Sequence, residues 1–471
     1  MANIPVHELS GLNLKTSPFL QGNGQVLRAV NVQRDSLGAY QKRPGYITYL
    51  GTPDNAQVNT LFAWRRNDGT TFQTYRVSGS ILYSSTQGTG AWTVTGNGTV
   101  TNGGHFGHTI LDDVLIGGDG ITASRHTTDG TSFTNTSGAP LAEHWAEYES
   151  RVWAARGTAT SGTNTDKFFS TTGTATDWTT DSSSIRVPGE GQINSMFKTN
   201  QFLIDTKDSG AVFRYDGQSL VDTATNFGPS SPYSIGDIQG YKIYLNRVGV
   251  FGHGGALPEL LSTPIERLIY NDSGSAIAGT QFDNAPGAVY QNKWYVSVGT
   301  VTENLTGLTI PNCLLRYDVP TEDWVTWSFP IQPTAFGTFL DASKNLQMIF
   351  GDSGGQCYQL AGTAMTDNGS AISAELMGFI HGGNFDEKKW KRLTMMFNPG
   401  CEAQIQVAIT DTFSPRTYQW QNIGQAIDGV VECHFQEGSR GRFCFWRITE
   451  SSKTSRFQFY GMDYEAELIT H

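Results

Sequence analysis

Charge is sparse in this chain. Only 16% of its 471 residues are Asp, Glu, Lys or Arg, and the balance is acidic, with 32 basic against 43 acidic residues and a formal net charge of −11. Tight wrapping of nucleic acid runs on clustered Lys and Arg that release counterions, so that class is excluded, while transient passage of DNA beside the protein is not. Cysteine is scarcer still. Cys313, Cys357, Cys401, Cys433 and Cys444 are odd in number and widely spaced, which fits neither a disulfide framework nor paired CxxC metal knuckles and suits assembly in a reducing cytoplasm. No apolar run approaches the roughly 18 residues of a membrane span. The opening MANIPVHELSG has no basic stretch followed by an apolar one, so a soluble protein without an export signal is expected. Helical periodicity is nearly missing as well, the best candidate being residues 262–270, STPIERLIY, with Pro264 at a first helical position.

What the chain has in abundance is glycine, 54 residues of it, set among Ser, Thr, Asn and Asp and punctuated by aromatics that make up 12% of the sequence. Residues 169–178, FSTTGTATDW, are nearly copied at 83–92, YSSTQGTGAW: an aromatic, small hydroxyl residues and glycine, then tryptophan nine positions on. Such a recurrence points to a hairpin used as a building block. From about residue 57, seven units of roughly four short strands can be laid out, with third-strand markers near Tyr83, Arg125, Phe169, Arg214, Phe251, Arg316 and Tyr358. Most gaps are near the roughly 40 to 45 residues of a four-stranded propeller blade. The long gap after Phe251 holds an insertion at about 262–286. Beyond Leu360 the strands lengthen and alternate strictly, as in residues 404–409 and 442–448, which predicts an antiparallel sandwich.

The expected fold is therefore all-β with very little helix: an extended N-terminal arm over 1–56, a roughly seven-bladed β-propeller over 57–366, and a C-terminal antiparallel β-sandwich over 367–471. Tyr83, Trp92, Phe169, Trp178 and Trp324 are assigned to structural blade packing. Lys42-Arg43-Pro44-Gly45 reads as a turn feeding a strand, its two charges either solvated or turned toward a partner or a phosphate.

Candidate chemistry is thin. Carboxylates at Asp112, Asp113, Asp181, Asp216, Asp318, Asp323 and Asp352 sit at turn-like positions, and their spacing selects no pair of the kind a glycosidase needs. Asp68-Gly69-Thr70-Thr71-Phe72 and Asp129-Gly130-Thr131-Ser132-Phe133 are superficially similar to sialidase aspartate boxes, but Asp and Gly are adjacent. His105, His108 and His253 are the histidines a metal site would draw on, without an HExxH arrangement. The GDSGG at 351–355 has no assignable His and Asp partners and reads as a hairpin turn. No catalytic residue, cofactor or metal is assigned.

Several phrases together carry a resemblance: NV...LGAYQKRPGY, FLIDTKDSGAVFRYDG, SIGDIQGYKIYLNRVGVFGHGG leading to LSTPIERLI, CLLRYDVPTEDWVTW, MIFGDSGGQCYQL, and the Asp367-Asn368-Gly369 that opens the last domain. The chain resembles a group of bacteriophage virion proteins, the propeller-bearing tail hub or nozzle proteins of short-tailed phages and related head-to-tail structural proteins. The resemblance implies a non-enzymatic subunit of the virion tail, assembled in the host cytoplasm. It implies a homo-oligomeric ring of six copies that meets a portal or adaptor protein, prolongs the DNA channel, retains packaged DNA and anchors tail fibres or spikes. Subunit contacts are expected chiefly from the arm and the sandwich. The rival expectation is a propeller that binds or cleaves glycan on the host surface, with Trp178 and Trp324 as exposed sugar platforms.

Overall fold

The structure, a computed structural model, describes residues 4–6, 9–15, 25–67, 69, 72–86, 91–155, 165–271, 274–303, 307–341, 343–381, 386–413 and 418–469. Seven antiparallel blades of four strands close into a β-propeller; the first five are separate sheets that follow one another along the chain, and the last two are parts of larger sheets. Blade one comprises Val58–Arg65, Phe72–Ser78, Ile81–Thr86 and Thr93–Thr99. Blade two comprises Gly107–Leu111, Val114–Gly118, Arg125–Thr127 and Thr134–Asn135; blade three His144–Tyr148, Arg151–Ala155, Asp166–Phe169 and Ser183–Arg186. Blade four runs from Ile193–Lys198 through Leu203–Lys207 and Val212–Tyr215 to Leu220–Ala224, and blade five from Gly236–Ile238 through Tyr241–Asn246 and Gly249–His253 to Glu259–Leu260. Blade six takes Gly287–Tyr290, Lys293–Thr302, Thr309–Asp318 and Asp323–Ser328. The insertion between blades five and six contains a 3-10 turn at Thr263–Ile265 and two short helices, Glu266–Ile269 and Gly279–Asn284.

Blade seven is where the sequence reading needs correction. The chain supplies three of its strands in order, Ala335–Leu340, Leu346–Gly351 and Cys357–Ala361, but the fourth is Gly45–Tyr49, paired antiparallel with Tyr46 opposite Leu360 and Thr48 opposite Tyr358. Part of the expected arm is thus the strand that closes the ring. Closure in this way covers the edge that Cys357–Ala361 would otherwise present. The same residues reach on to Thr366–Asp367.

Most of the remaining arm belongs to the sandwich. Gln25–Val30 lies between Asp323–Ser328 of blade six and Ala374–Ile380, so one sheet runs from the propeller through the arm into Ala374–Ile380, Phe443–Glu450, Gln404–Thr410 and Gln421–Gln425. The facing sheet orders Val32–Arg34, Tyr40–Lys42, Gln458–Leu468, Lys388–Phe397 and Val430–His434, with Ile4–Val6 also on Gln458–Leu468. Strict alternation directs Ile405, Val407, Trp446 and Ile448 to one side, where they meet Trp390, Met395, Phe459 and Met462 of the facing sheet. This apolar core is continuous with blades five to seven.

Lys42 and Arg43, expected at a solvated turn or a partner surface, are fully buried. Lys42 pairs with Glu450 at 3.0 Å and donates to the Ser452 carbonyl at 2.7 Å. Arg43 grips Asp367, 324 residues away, through Nη1 at 2.8 Å and Nη2 at 2.6 Å. Its Nε donates to Asn31 Oδ1, and its remaining N–H groups go to the Pro44 and Ser328 carbonyls. Gly45 is equally committed, because a Cβ there would stand 1.9 Å from the Thr366 carbonyl oxygen. Buried charges of this kind persist only when every donor is met, and Pro44 and Gly45 let the chain pass close enough to meet them.

Candidate functional site on the propeller axis

The first strands of the seven blades stand side by side around the axis and leave a cavity of about 360 Å³ at the end where each blade begins. Its lining comes from the residues that open each inner strand, among them Asn59, His105, His108, Glu143, Ser195, Tyr233, Gly287 and Phe336. Tyr233 lies in the 3-10 turn Pro232–Ser234 ahead of blade five, with Pro232 at its start, and this turn carries the ring across the axis. There it stacks on His105 of blade two, with ring centroids 3.5 Å apart and an interplanar angle of 14°. Its hydroxyl donates to Glu143 Oε1 of blade three at 2.5 Å. Three blades are thereby bridged at the mouth.

His108 lies deeper, stacked on Phe62 at 4.0 Å. Burial pushes both imidazoles down to about 4, in His105 against the opposing pull of the Glu143 carboxylate, so both are neutral near pH 7. Among the described residues no group of three or more His, Cys, Asp or Glu is placed to hold a metal ion. His253, grouped with the other two at the sequence level, is buried in blade five, where its Nδ1 accepts from the Gly255 amide at 2.9 Å and burial pushes its imidazole down to about 4.

The other sequence candidates are structural. Trp178 is 6% exposed, follows the third strand of blade three, and packs edge-on against Trp145 and with Leu111 and Ile116 of blade two. Trp92 holds the corresponding place in blade one, packed with Tyr49 and Val58 against blade seven, although it is only half-buried. Tyr83 and Phe169 occupy matching third strands, each covered by an arginine, Arg76 at 4.7 Å and Arg151 at 4.9 Å. The stretch 87–90 of the first copy and Asp68, Thr70 and Thr71 lie outside the described residues. Trp324 is 1% exposed between Trp294 and Tyr317. Trp178 and Trp324 are thus not the exposed platforms that a sugar would need.

The carboxylates resolve into turns and ion pairs. Asp129, Asp216 and Asp352 each accept two nearby main-chain amides. Asp181, Asp318 and Asp323 pair with Arg151, Arg316 and Arg34. Asp112 and Asp113 form the positive-φ turn between the first two strands of blade two. The GDSGG turn joins two strands of blade seven, and Gly355 there has φ +86° and leaves room for Asp54, which also binds Arg76 of blade one. Tyr233 and Glu143 escaped sequence reasoning. Their one shared signal is position, just ahead of the first strand of a unit.

The strand pairing defines the protein as a β-propeller carrying a fused β-sandwich. Among the described residues no helix is long and apolar enough to cross a membrane. No protein-family model matches the sequence, and no curated protein matches it. Among solved structures similar to this chain are YCF48 from Cyanidioschyzon merolae, 11% identical over 67% of this chain and 98% of that one, TM-score 0.43, and the Neurospora crassa Pan2 WD40 domain, 9% identical over 69% of this chain and 96% of that one, TM-score 0.41.

Proposed function

We propose that this protein is a structural subunit of a phage tail, of the hub or nozzle type, forming a ring of six copies that prolongs the portal DNA channel, retains packaged DNA and anchors fibres or spikes. The sequence phrases set out above are the origin of this reading. The observation that supports it is the welding of propeller to sandwich: Gln25–Val30 is hydrogen-bonded to both, and Gly45–Tyr49 closes the ring while continuing to Thr366–Asp367. A subunit holding pressurised DNA needs such a single stiff body, and domains joined by a bare linker would move independently.

The axial cavity is not the DNA path on this reading. At about 360 Å³ and bridged by Tyr233, it has no room for a duplex whose major groove alone is about 12 Å wide. DNA would pass between copies, along surfaces whose acidic balance lets a polyanion slide. The test is imaging of the purified chain with its portal partner, alongside mass by light scattering. Six-fold rings seated on the portal are the expected outcome. A chain that stays monomeric with portal present, and is missing from intact particles, sinks the proposal.

A further inference from the structure

We propose that Lys167 and Asp205 condense into an isopeptide bond that ties blade three to blade four. Lys167 stands on the third strand of blade three and Asp205 on the second strand of blade four, 38 residues apart in the sequence. Both side chains are 0% exposed, and Lys167 Nζ lies 2.6 Å from Asp205 Oδ2. A nitrogen nucleophile and a carboxyl are thereby held in contact away from bulk water, the arrangement that turns a slow bimolecular condensation into an intramolecular one.

The fold itself supplies a comparison. Among the described residues, Lys42 and Glu450 form the other lysine–carboxylate pair that is 0% exposed at both ends, and that pair is furnished to stay ionic. Lys42 Nζ also donates to the Ser452 and Ser455 carbonyls, while the Glu450 oxygens accept from the Ser455 hydroxyl and the Phe457 amide. Lys167 and Asp205 lack such support. Among the described residues Asp205 is the one hydrogen-bond acceptor that Lys167 Nζ meets, and Asp205 Oδ1 is buried with no partner. The Tyr215 and Trp153 ring centroids stand 4.1 and 5.0 Å from Nζ. Rings offset part of a cation's charge, but they give the bare carboxylate oxygen no donor. Burial pushes the Asp205 carboxyl up, against the pull of Lys167. Two buried charges joined by one hydrogen bond are poorly compensated, and passing a proton from Nζ to the carboxylate abolishes both. The Nζ lone pair then adds to Cγ and a C–N bond forms. The C–O bond to the protonated oxygen breaks, and that hydroxyl departs with a second proton from Nζ as water. The step is redox-neutral and consumes no co-reactant.

Mass spectrometry of the denatured full chain tests this. The wild-type chain is expected to be one water lighter than its sequence. Trypsin should release a branched peptide joining residues 157–186 to 199–207, because the acylated Lys167 is no longer a cleavage site. Lys42 and Glu450 should remain unjoined, and Lys167→Met and Asp205→Ala chains should each carry the full mass of their own sequence. Wild-type protein at the full mass of its sequence, a digest in which residues 168–186 and 199–207 appear as separate peptides, or a water loss that persists in Lys167→Met overturns the proposal.

Discussion

Replacing Asp367 with alanine strips a fully buried guanidinium of the one counter-charge that pairs with it among the described residues. All five N–H donors of Arg43 are engaged, two of them by Asp367 and the others by Asn31, Pro44 and Ser328, and the cation lies 4.5 Å from the Phe329 ring centroid. Arg43 is 0% exposed and Asp367 2%, so solvent cannot take the carboxylate's place. Breaking such a pair from one side costs about 3–5 kcal/mol, most of it the penalty of the charge left behind. The partners sit on the arm, on blade six and at the entry to the sandwich, so the loss should lower the whole unfolding transition. Urea unfolding followed by tryptophan fluorescence measures it. A cycle of D367A, R43M and R43M/D367A should show the two single changes summing to at least about 2 kcal/mol more than the double one. An Asp367→Ala cost under about 1 kcal/mol, the range of an exposed pair, or simple additivity in the cycle would refute the assignment.

Trp178→Ala should cost about 3–5 kcal/mol in thermal or urea denaturation, because a nearly buried indole between blades two and three leaves a cavity; Trp92→Ala and Phe169→Ala, at half-buried sites, should cost less, and the reverse order would contradict the packing described. Deleting residues 1–49 removes the outer strand of blade seven and bares the edge of Cys357–Ala361, so the truncated chain should aggregate in light scattering, in contrast to the soluble monomer that a free arm would predict. His105, His108 and His253 are pushed down to about 4 in the fold against roughly 6.5 when unfolded. The unfolded chain therefore binds more protons in that window, and stability should fall as pH drops from about 6.5 toward about 4. The loss is about 3 kcal/mol for fully buried His253 and smaller for the two that face the cavity, so a urea midpoint flat across that range would contradict the burial.

The blades were legible in the sequence because each is built from neighbours in the chain: hairpins, glycine turns and an aromatic at a fixed offset are local marks. Ring closure was not, since Gly45–Tyr49 finds its partner some 300 residues away and an alternating pentapeptide looks the same whether its neighbour is near or far. Lys42 and Arg43 were misread for a related reason. A charge in a Pro-Gly context suggests solvent, and only the distant Glu450 and Asp367 make it internal. At the axis, His105 and His108 drew notice through their spacing, but a spacing of three on the approach to a strand set one on Tyr233 and the other on Phe62, far from a shared ligand geometry. Glu143 and Tyr233 carry no motif at all, because a propeller axis is assembled from single residues contributed by every blade.

Closure of blade seven by Gly45–Tyr49 also sets a timetable for synthesis. The strand leaves the ribosome early, yet Cys357–Ala361 follows only about 300 residues later, roughly 15 to 60 s at ordinary elongation rates. Gln25–Val30 waits longer still, for Ala374–Ile380. During that interval Val26, Leu27, Tyr40 and Tyr46, all buried in the finished protein, have none of their eventual neighbours from the C-terminal third. Blades one to five can form as they emerge, while the opening residues remain a sticky, unpaired ribbon until the end of translation. Nascent chains of this protein should therefore depend on holding factors at the exit tunnel more than their locally paired blades suggest.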